Sequence, residues 1–342
     1  MVSIKDVARV AGVSFTTVSH VLNGTRKVSD GTRSKVLQAV DECGYVPSAV
    51  ARSLRLARTH SIGVLVPDIS NPFCAEITMG VEDVAREAGY SVVLGNTGPQ
   101  GRYQALQLES LLSRRVDGML LVAGVFDQAS VEQVVSKRLM RTPLVMIDRS
   151  PGVLKADLLQ ADQHEAAVLA VSHLLSLGHR RIACISGPMA QHISQQRVAG
   201  WRHALAQAGV PADDGLLFEG DYSVDAGYEQ GLRCLRTTGA TAVFACNDMM
   251  ALGVLHAAAE LGRKVPQELS VVGIDGIAMG KHSQPALTSV GASLHGLGRD
   301  AATMLIERIE HAEQPSRCLK RACHLILRAT TGRVSVEEEA EA

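Results

Sequence analysis

The spacing of apolar and polar positions near the start of the chain predicts two short helices joined by a tight turn. The first helix would be capped by Ser3 and would stop at Gly12. Its apolar face has residues three and four apart, namely Ile4, Val7, Ala8 and Ala11. The second helix would be capped by Ser14, and its buried face would consist of Val18, Val21 and Leu22. This arrangement is typical of a helix-turn-helix unit.

The second helix leaves a set of side chains for its outer face. They are Phe15, Thr16, Thr17, His20 and Asn23. Hydroxyl, imidazole and amide groups can meet base edges when such a helix enters the major groove of DNA. Thr16 and His20, four residues apart, share one face of the helix. A small protein-binding domain of three helices is the alternative, and the charge of this part of the chain argues for DNA.

A third helix is predicted after the second one. It would begin near Ser29, turn Val36, Leu37 and Val40 inward, and end at Gly44. Glycine suits the left-handed cap that closes many helices, because it has no Cβ. The first part of the chain is therefore expected to be all-α.

From residue 61 onward, apolar runs of strand length alternate with helical stretches. The strands are predicted over 62–66, 91–94, 118–122, 144–147, 182–185, 242–245 and 271–274, and the helices over 72–88, 104–113, 198–208 and 249–261. Strand–helix alternation with short loops predicts a parallel, doubly wound sheet. The alternation lasts about twice as long as one such unit, so we predict two α/β lobes.

The net charge of −1 conceals an uneven distribution. The first 60 residues hold nine lysine and arginine residues against four acidic ones, a charge of +5, which leaves −6 for the rest. A basic end on an acidic body suggests a nucleic-acid module joined to a domain with another task. Residues 47–60 are basic and rich in small side chains. A helix shorter than about 12 residues is marginal alone, so this linker is expected to become ordered only against DNA and a partner chain.

Several classes of protein are disfavoured by what the sequence lacks. The seven cysteines show no CxxC pair and no zinc spacing, so we expect reduced thiols and no metal. No apolar run is long enough to span a bilayer, and the charged start has no signal-peptide core, so we expect a cytoplasmic protein with no membrane partner. No GxxxxGK[ST], GxGxxG or GxSxG loop is present, so we expect no catalytic residues and no cofactor. Acid–base chemistry by strand-end Asp and Arg residues stays open as an enzyme hypothesis.

Short motifs in the first 55 residues resemble the lactose-repressor (LacI) family, and the resemblance continues through most of the chain. The motifs include Ile4-Lys5-Asp6-Val7-Ala8, Ala11-Gly12-Val13-Ser14, Thr17-Val18-Ser19-His20-Val21-Leu22-Asn23, Gly44-Tyr45 and Ala51-Arg52-Ser53-Leu54. The resemblance implies a transcriptional repressor that binds a pseudo-palindromic operator as a homodimer, with a tetramer left open. It implies DNA contacts from the outer face of the second helix and from Ser29, Leu54 and Arg55. Leu54 would wedge into the minor groove, and an ordinary packing leucine is the alternative.

Polar residues follow several of the predicted strands. They are Asp68, Asn71, Asp148, Arg149, Asn247, Asp248 and Asp275. Ligands of open parallel sheets bind beyond the carboxyl ends of the strands. Asp and Asn after a strand are commonly turn formers or helix caps. Sugar recognition, however, uses this combination of groups: carboxylates, amides, an arginine fork and an aromatic face.

This part of the chain is similar to the effector domain of the same family and to periplasmic sugar-binding proteins, ribose binders in particular. The motifs are Ser70-Asn71-Pro72-Phe73, Ile147-Asp148-Arg149, Arg197-Val198-Ala199-Gly200-Trp201, Phe244-Ala245-Cys246-Asn247-Asp248 and Val272-Gly273-Ile274-Asp275. The resemblance implies an effector cleft lined by Asn71, Phe73, Asp148, Arg149, Arg197, Tyr222, Asn247 and Asp275. Two departures put ribose itself in question: Cys74 stands where a second aromatic residue is common, and Ala292-Ser293 replaces a usual Gln-Pro pair.

We therefore predict an α/β protein made of a helix-turn-helix domain over 1–46, a hinge over 47–60, and a periplasmic-binding-protein-like domain over 61–332. The last domain would consist of two doubly wound parallel-sheet lobes that bind the effector and form the dimer. Residues 333–342 are expected to be a disordered acidic tail. The family topology implies chain crossings between the lobes near Asp162, Val290 and Leu325.

The effector is expected to be a small sugar-like molecule, ribose or a related sugar first, with a sugar acid or a purine as the alternatives. Whether it releases or strengthens operator binding is open. A sugar carrier is a second hypothesis for the whole protein, against which the missing signal peptide and the basic helix-turn-helix argue.

Overall fold

The computed structural model of the chain describes residues 2–24, 26–45, 58–98, 101–122, 139–148 and 155–334. Contacts divide the chain into two compact units, Met1–Thr59 and His60–Ala342. Most of the predicted hinge and tail lie outside the described residues. In the part of the chain that is described, no helix is long and apolar enough to cross a membrane.

The first unit is all-α. Its helices are α1 (Ile4–Ala11), α2 (Phe15–Asn23) and α3 (Asp30–Cys43). The Ser14 hydroxyl accepts the Thr17 N–H at 3.1 Å, and the Ser29 hydroxyl accepts the Thr32 N–H at 3.4 Å, which satisfies one of the unpaired donors at each helix start. Gly12 ends α1 with a left-handed φ of 63°. The predicted caps and stops are therefore found at their expected positions.

The core of this unit corrects one detail of the predicted third helix. The buried side chains are Val7, Ala8, Val18, Val21, Val36 and Ala39. Leu37 was expected to face inward, but its side chain is 44% exposed. Successive helical residues are turned by about 100°, so with Val36, Ala39 and Val40 on the inner face, Leu37 lies away from the core.

The second unit alternates strands and helices. Its elements in chain order are β1 (Ser61–Val66), α4 (Pro72–Glu87), β2 (Ser91–Asn96), α5 (Gln104–Ser113), β3 (Gly118–Val122), β4 (Leu144–Ile147), β5 (Asp157–Ala161), α6 (Gln163–Ser176), β6 (Ile182–Ser186), α7 (His192–Gln207), β7 (Leu217–Glu219), α8 (Val224–Thr237), β8 (Ala242–Ala245), α9 (Asp248–Glu260), β9 (Ser270–Ile274), β10 (Thr288–Gly291), α10 (Leu294–Glu310), β11 (Cys318–Arg321) and β12 (His324–Ile326).

The strands form two sheets of six strands each. The first sheet has the order β11-β5-β4-β3-β1-β2 and the second the order β12-β10-β9-β8-β6-β7. Neighbouring strands pair in parallel, except for the antiparallel pair β10 and β12. The predicted fold class is confirmed: a helix-turn-helix unit precedes an α/β unit with two lobes. We call the lobe around the first sheet the N-lobe and the other the C-lobe.

The chain passes between the lobes three times, so both lobes are discontinuous in sequence. It passes from β5 to α6 at Asp162, from β10 to α10 between Gly291 and Leu294, and from β11 to β12 between Arg321 and His324. These crossings agree with the positions that the family topology implied to within a few residues. The carboxyl ends of the strands, where polar residues were noted, meet beside these crossings.

Candidate ligand cleft and nucleic-acid interface

The helix-turn-helix unit presents most of the predicted DNA-reading side chains on its surface. Phe15 is 58% exposed and Thr16 is also exposed, at the start of α2. Thr17 is partly buried, and its Oγ1 lies 2.9 Å from the Ser14 hydroxyl. His20 is partly buried on the same helix. The first two turns of α2 therefore offer an apolar ring, hydroxyls and an imidazole at one surface.

The other predicted DNA contacts have different positions. Asn23 is the last residue of α2. Ser29 caps α3, and its hydroxyl is within 2.9 Å of Thr32 Oγ1. Leu54 and Arg55 lie outside the described residues. The structure thus brings the α2 residues together on one element and places Ser29 at a helix start, where backbone N–H groups favour phosphate.

In the second unit, Arg197 of α7 is the centre of the candidate cleft. Its side chain is only 3% exposed. Its Nε donates to Gln163 Oε1 at 2.8 Å, Nη1 donates to the Cys246 carbonyl, and Nη2 donates to Asp275 Oδ1 at 3.3 Å. The guanidinium group therefore joins the start of α6 to the ends of β8 and β9.

The carboxyl groups of Asp275 and Asp148 lie near this cation, and that of Asp248 lies near Asp275. Burial raises the pKa of Asp275 to about 8, Arg197 opposes this rise, and the charges of Asp248 and Asp148 add to it. Burial also raises the pKa of Asp148, while Ala161, Arg197 and Gln163 oppose the rise. Asp248 is likewise buried, and its pKa rises to about 7. Burial thus favours the protonated form of all three carboxyl groups.

Asp148 lies at the end of β4 in the N-lobe. Its Oδ1 accepts the Ala161 N–H at 2.7 Å, which fixes the carboxyl group between the ends of β4 and β5. Arg197 is close enough to lower the pKa of Asp148. Asp148 is in turn close enough to raise the pKa of Asp275. Candidate residues from the two lobes therefore face one another. Arg149, the next residue, lies outside the described residues.

The two candidate asparagines are both helix caps. Asn71 Oδ1 accepts the Phe73 N–H at 3.0 Å at the start of α4. Asn247 Oδ1 accepts the Met250 N–H at 2.9 Å, and its amide donates to the Tyr222 carbonyl at 3.0 Å. Capping was the alternative noted for such residues. Asn247 has both ends of its amide engaged and serves to hold Tyr222 in place.

Tyr222 brings an aromatic ring to Arg197 in the C-lobe, whereas Phe73 belongs to the apolar core of the N-lobe. The Tyr222 hydroxyl is 2.7 Å from Ser194 Oγ, and its ring lies under the Arg197 guanidinium, 6.0 Å from carbon to ring centre. A Cβ on Gly187 would fall 2.1 Å from the ring, so only glycine allows this packing. Phe73 and Cys74 are buried at the start of α4, with Cys74 in the position where a second ring was expected.

Backbone geometry marks the same strand ends. Among the described non-glycine residues with positive φ are Asp148 at 51°, Tyr222 at 73° and Asp275 at 120°. Side chains with a Cβ rarely adopt such angles, and they tend to persist at functional sites. Three candidate residues from separate elements share this feature.

The sequence reasoning missed several residues of the cleft. Gln163 bonds to Arg197 and also lowers the pKa of Asp148. The Ser194 hydroxyl contacts the Tyr222 hydroxyl. Cys323 lies at the third crossing, where burial raises the pKa of its thiol and the charges of Asp148 and Arg197 also act on it. Gln163 and Cys323 lie on crossings whose positions were expected. Crossing segments were therefore the signal that could have found them.

Comparison with known proteins gives a consistent assignment. A family described as "Bacterial regulatory proteins, lacI family" matches residues 3–48, and one described as "Periplasmic binding protein-like domain" matches residues 171–331. The HTH-type transcriptional repressor PurR of Vibrio parahaemolyticus is 37% identical over 336 residues, 98% of this chain and 100% of that protein.

A second relative and a solved structure support the same assignment. The ribose operon repressor of Escherichia coli K12 is 40% identical over 310 residues, 90% of this chain and 93% of that protein. The crystal structure of the lac repressor dimer bound to operator and the anti-inducer ONPF is 30% identical, has a TM-score of 0.85, and covers 97% of this chain and 99% of that one. The likeness extends over both units.

Proposed function

Because this chain belongs to the LacI family of bacterial regulatory proteins, we propose that it is a repressor whose operator affinity is set by ribose or a closely related neutral sugar. Repressors of this family bind operator DNA and small effectors and act as dimers. The observation that carries the proposal is Arg197, buried between carboxyl groups of both lobes. The proposed site is the cleft between the strand ends.

The charge balance of the cleft favours a neutral, hydroxyl-rich ligand. The carboxyl groups of Asp148 and Asp275 both lie near the Arg197 guanidinium group, and the buried carboxyl group of Asp248 lies near Asp275. Carboxylates accept hydrogen bonds from hydroxyls, and the arginine fork donates to them. An anionic sugar acid would bring a further negative charge close to these carboxyl groups. The sugar-acid alternative is therefore disfavoured relative to a neutral sugar.

The aromatic content of the cleft favours a sugar over a purine. A purine is held best between flat rings, and Cys74 replaces the second ring at the start of α4. The Arg197 guanidinium covers one face of Tyr222, which reduces the surface left for stacking. One relative is named a ribose operon repressor, which also favours a sugar effector. Other relatives are named PurR, so a purine is the second candidate effector.

We assign proposed roles to the candidate residues accordingly. Asp148, Arg197 and Asp275 bind ligand hydroxyls, and Arg149 adds a second donor. Phe73 and Tyr222 cover the apolar side of the ring. Asn71 and Asn247 position their neighbours as caps, although each could also reach the ligand. In the first unit, the predicted contacts with operator DNA come from Phe15, Thr16, Thr17, His20, Asn23, Ser29, Leu54 and Arg55.

The proposed domain boundaries follow from these roles. Residues 1–46 read the operator, 47–60 form the hinge, 61–332 bind the effector and form the dimer, and 333–342 are a tail. An effector acts only through unequal affinity for two states of the protein. We propose that the sugar favours one arrangement of the two lobes and thereby one arrangement of the hinge. The proposed location is the cytoplasm, and the proposed assembly is a homodimer.

Calorimetric titration of the full chain with D-ribose, other pentoses and hexoses, a sugar acid, guanine and hypoxanthine tests the effector assignment. We expect D-ribose or another neutral sugar to bind, and Asp275→Ala to abolish that binding while specific DNA binding persists. The DNA would be a duplex selected from random sequence by the parent protein. Binding of guanine or hypoxanthine without sugar binding would overturn the assignment, and turnover of any compound would argue for an enzyme.

A further inference from the structure

The turn that follows Asp275 joins the two lobes directly. It leaves β9 of the C-lobe, yet Ile277 is fully buried in the N-lobe core, in the same cluster as Phe73, Leu294 and Leu297. Phe73 and Asp275 are both proposed ligand residues. Ile277, only two residues after Asp275 of the C-lobe, therefore lies in the N-lobe core cluster that contains Phe73.

The backbone of this turn is fixed on the C-lobe by Asp248. The buried Asp248 carboxylate accepts the Ile277 N–H at 2.9 Å and the Ser289 hydroxyl at 2.6 Å. The Ser289 oxygen in turn accepts the Gly276 N–H at 3.1 Å. Both N–H groups that follow Asp275 are thereby held by one polar network, which anchors this turn to the C-lobe.

The far end of the turn is fixed on the N-lobe by Glu76. The Ala278 N–H donates to Glu76 Oε1 at 2.8 Å. Glu76 belongs to α4, and α4 packs against α10 so closely that a Cβ on Gly80 would fall 2.0 Å from the His295 carbonyl oxygen. Close contact of this kind makes the two helices move as one body. A shift of the turn therefore acts on the whole α4–α10 pair.

We propose that Ile277 and Glu76 are positioning residues that couple effector binding to the arrangement of the lobes. The proposal rests on the proposed function, because it assigns Asp275 to the effector. Ligand contact with Asp275 moves the turn 276–278, Ile277 carries that movement into the N-lobe core, and the Glu76 hydrogen bond holds α4 to the turn. Neither side chain contacts the effector.

Ordinary packing is the alternative for both residues. A buried isoleucine and a surface hydrogen bond stabilise a fold without serving any coupling. That reading predicts that variants lose thermal stability while the ratio of operator affinities with and without effector stays constant. The ratio is therefore the quantity to measure.

The test compares Glu76→Ala with Glu76→Gln in the full chain. Glutamine keeps a carbonyl oxygen that can accept the Ala278 N–H, and alanine does not. Glu82→Ala is the matched control, since Glu82 lies on the exposed side of α4 and pairs only with Arg86 in the described ion pairs. Operator affinity would be measured by fluorescence anisotropy at one salt concentration, with and without saturating D-ribose, and D-ribose affinity by calorimetry.

We expect Glu76→Ala to change the affinity ratio at least fivefold, and Glu76→Gln and Glu82→Ala to stay within twofold of the parent. We also expect Glu76→Ala to shift the effector-free operator affinity at least threefold, because the lobes are then held less firmly in one arrangement. Equal ratios and equal effector-free affinities in all three variants would overturn the coupling role.

The effector-free measurement separates this proposal from the effector assignment. If the parent shows no response to D-ribose, the assignment of ribose fails, and the coupling role is still decided by the effector-free affinities of Glu76→Ala and Glu76→Gln. Ile277→Ala and Ile277→Val give a second series. Valine should preserve the effector-free operator affinity, and alanine should shift it at least threefold.

Discussion

The two lobes hold their ligand residues in different ways. In the C-lobe, Arg197, Asp275 and Tyr222 are fixed by side-chain bonds to several elements. In the N-lobe, Asp148 accepts a backbone N–H from the end of the neighbouring strand β5, and Asn71 caps its own helix. The proposed site residues of the C-lobe are therefore held by more side-chain hydrogen bonds than those of the N-lobe. This difference predicts that substitutions in the C-lobe cost more than those in the N-lobe.

Replacement of Arg197 by alanine should have the largest effect of the substitutions considered. Sugar affinity should fall more than 100-fold, because three acceptors lose their common donor. The free energy of unfolding should fall by roughly 3 kcal/mol, the order expected when one partner of a buried ion pair is removed. Calorimetry and urea unfolding measure the two effects.

Arg202 provides the control for this prediction on the same helix. Its ion pair with Asp214 is exposed, and exposed pairs contribute about 1 kcal/mol or less. Arg202→Ala should therefore leave sugar affinity unchanged. A similar loss in both variants would show that α7 tolerates neither change and that the cleft role of Arg197 is not specific.

Replacement of Asp148 by asparagine should have an intermediate effect. The amide oxygen can still accept the Ala161 N–H, so the free energy of unfolding should change by less than about 1 kcal/mol. Sugar affinity should fall about tenfold, since a neutral acceptor binds a hydroxyl more weakly than a carboxylate does. If Asp148→Asn costs as much affinity as Arg197→Ala, the two lobes contribute equally and the comparison is wrong.

The smallest expected effect concerns pH. Folding raises the pKa of Asp275 to about 8, so ionisation of this carboxyl costs the folded state free energy. Its contribution to stability is present below its unfolded pKa of about 4 and is lost as the pH rises toward about 8. The Tm of the ligand-free parent, relative to that of Asp275→Asn, should therefore fall as the pH rises from about 5 to about 8. A difference that does not vary with pH would contradict this.

Much of the fold was visible in the sequence because central parallel strands are buried on both faces. Runs such as 62–66 and 182–185 are continuously apolar, and these strands were predicted to within one or two residues. The edge strand β11 carries no such signal. All four residues of β11 are exposed, and the strand exists because it pairs with β5. Periodicity along the chain cannot reveal a strand that depends on its neighbour alone.

The candidate cleft could be predicted only in part. Strand ends identified Asp148 and Asp275, because parallel strands bring their carboxyl ends to one edge of the sheet. The pairing of Arg197 with Asp275 and Gln163 depends on how α7 and the first crossing approach that edge, which no local pattern encodes. Asn247 illustrates the opposite case, since its residue type was consistent with both a cap and a ligand contact, and the structure shows the cap.

The left-handed backbone at Tyr222 and the unusual φ of Asp275 carry a consequence for engineering. A glycine would adopt these angles without steric cost, so the present side chains are retained at some expense in folding free energy. Selection of variants for thermostability alone would therefore favour replacement of Tyr222 and Asp275, with loss of their side chains from the cleft. Heat-tolerant variants of the repressor are best sought elsewhere in the molecule, with effector response included in the selection.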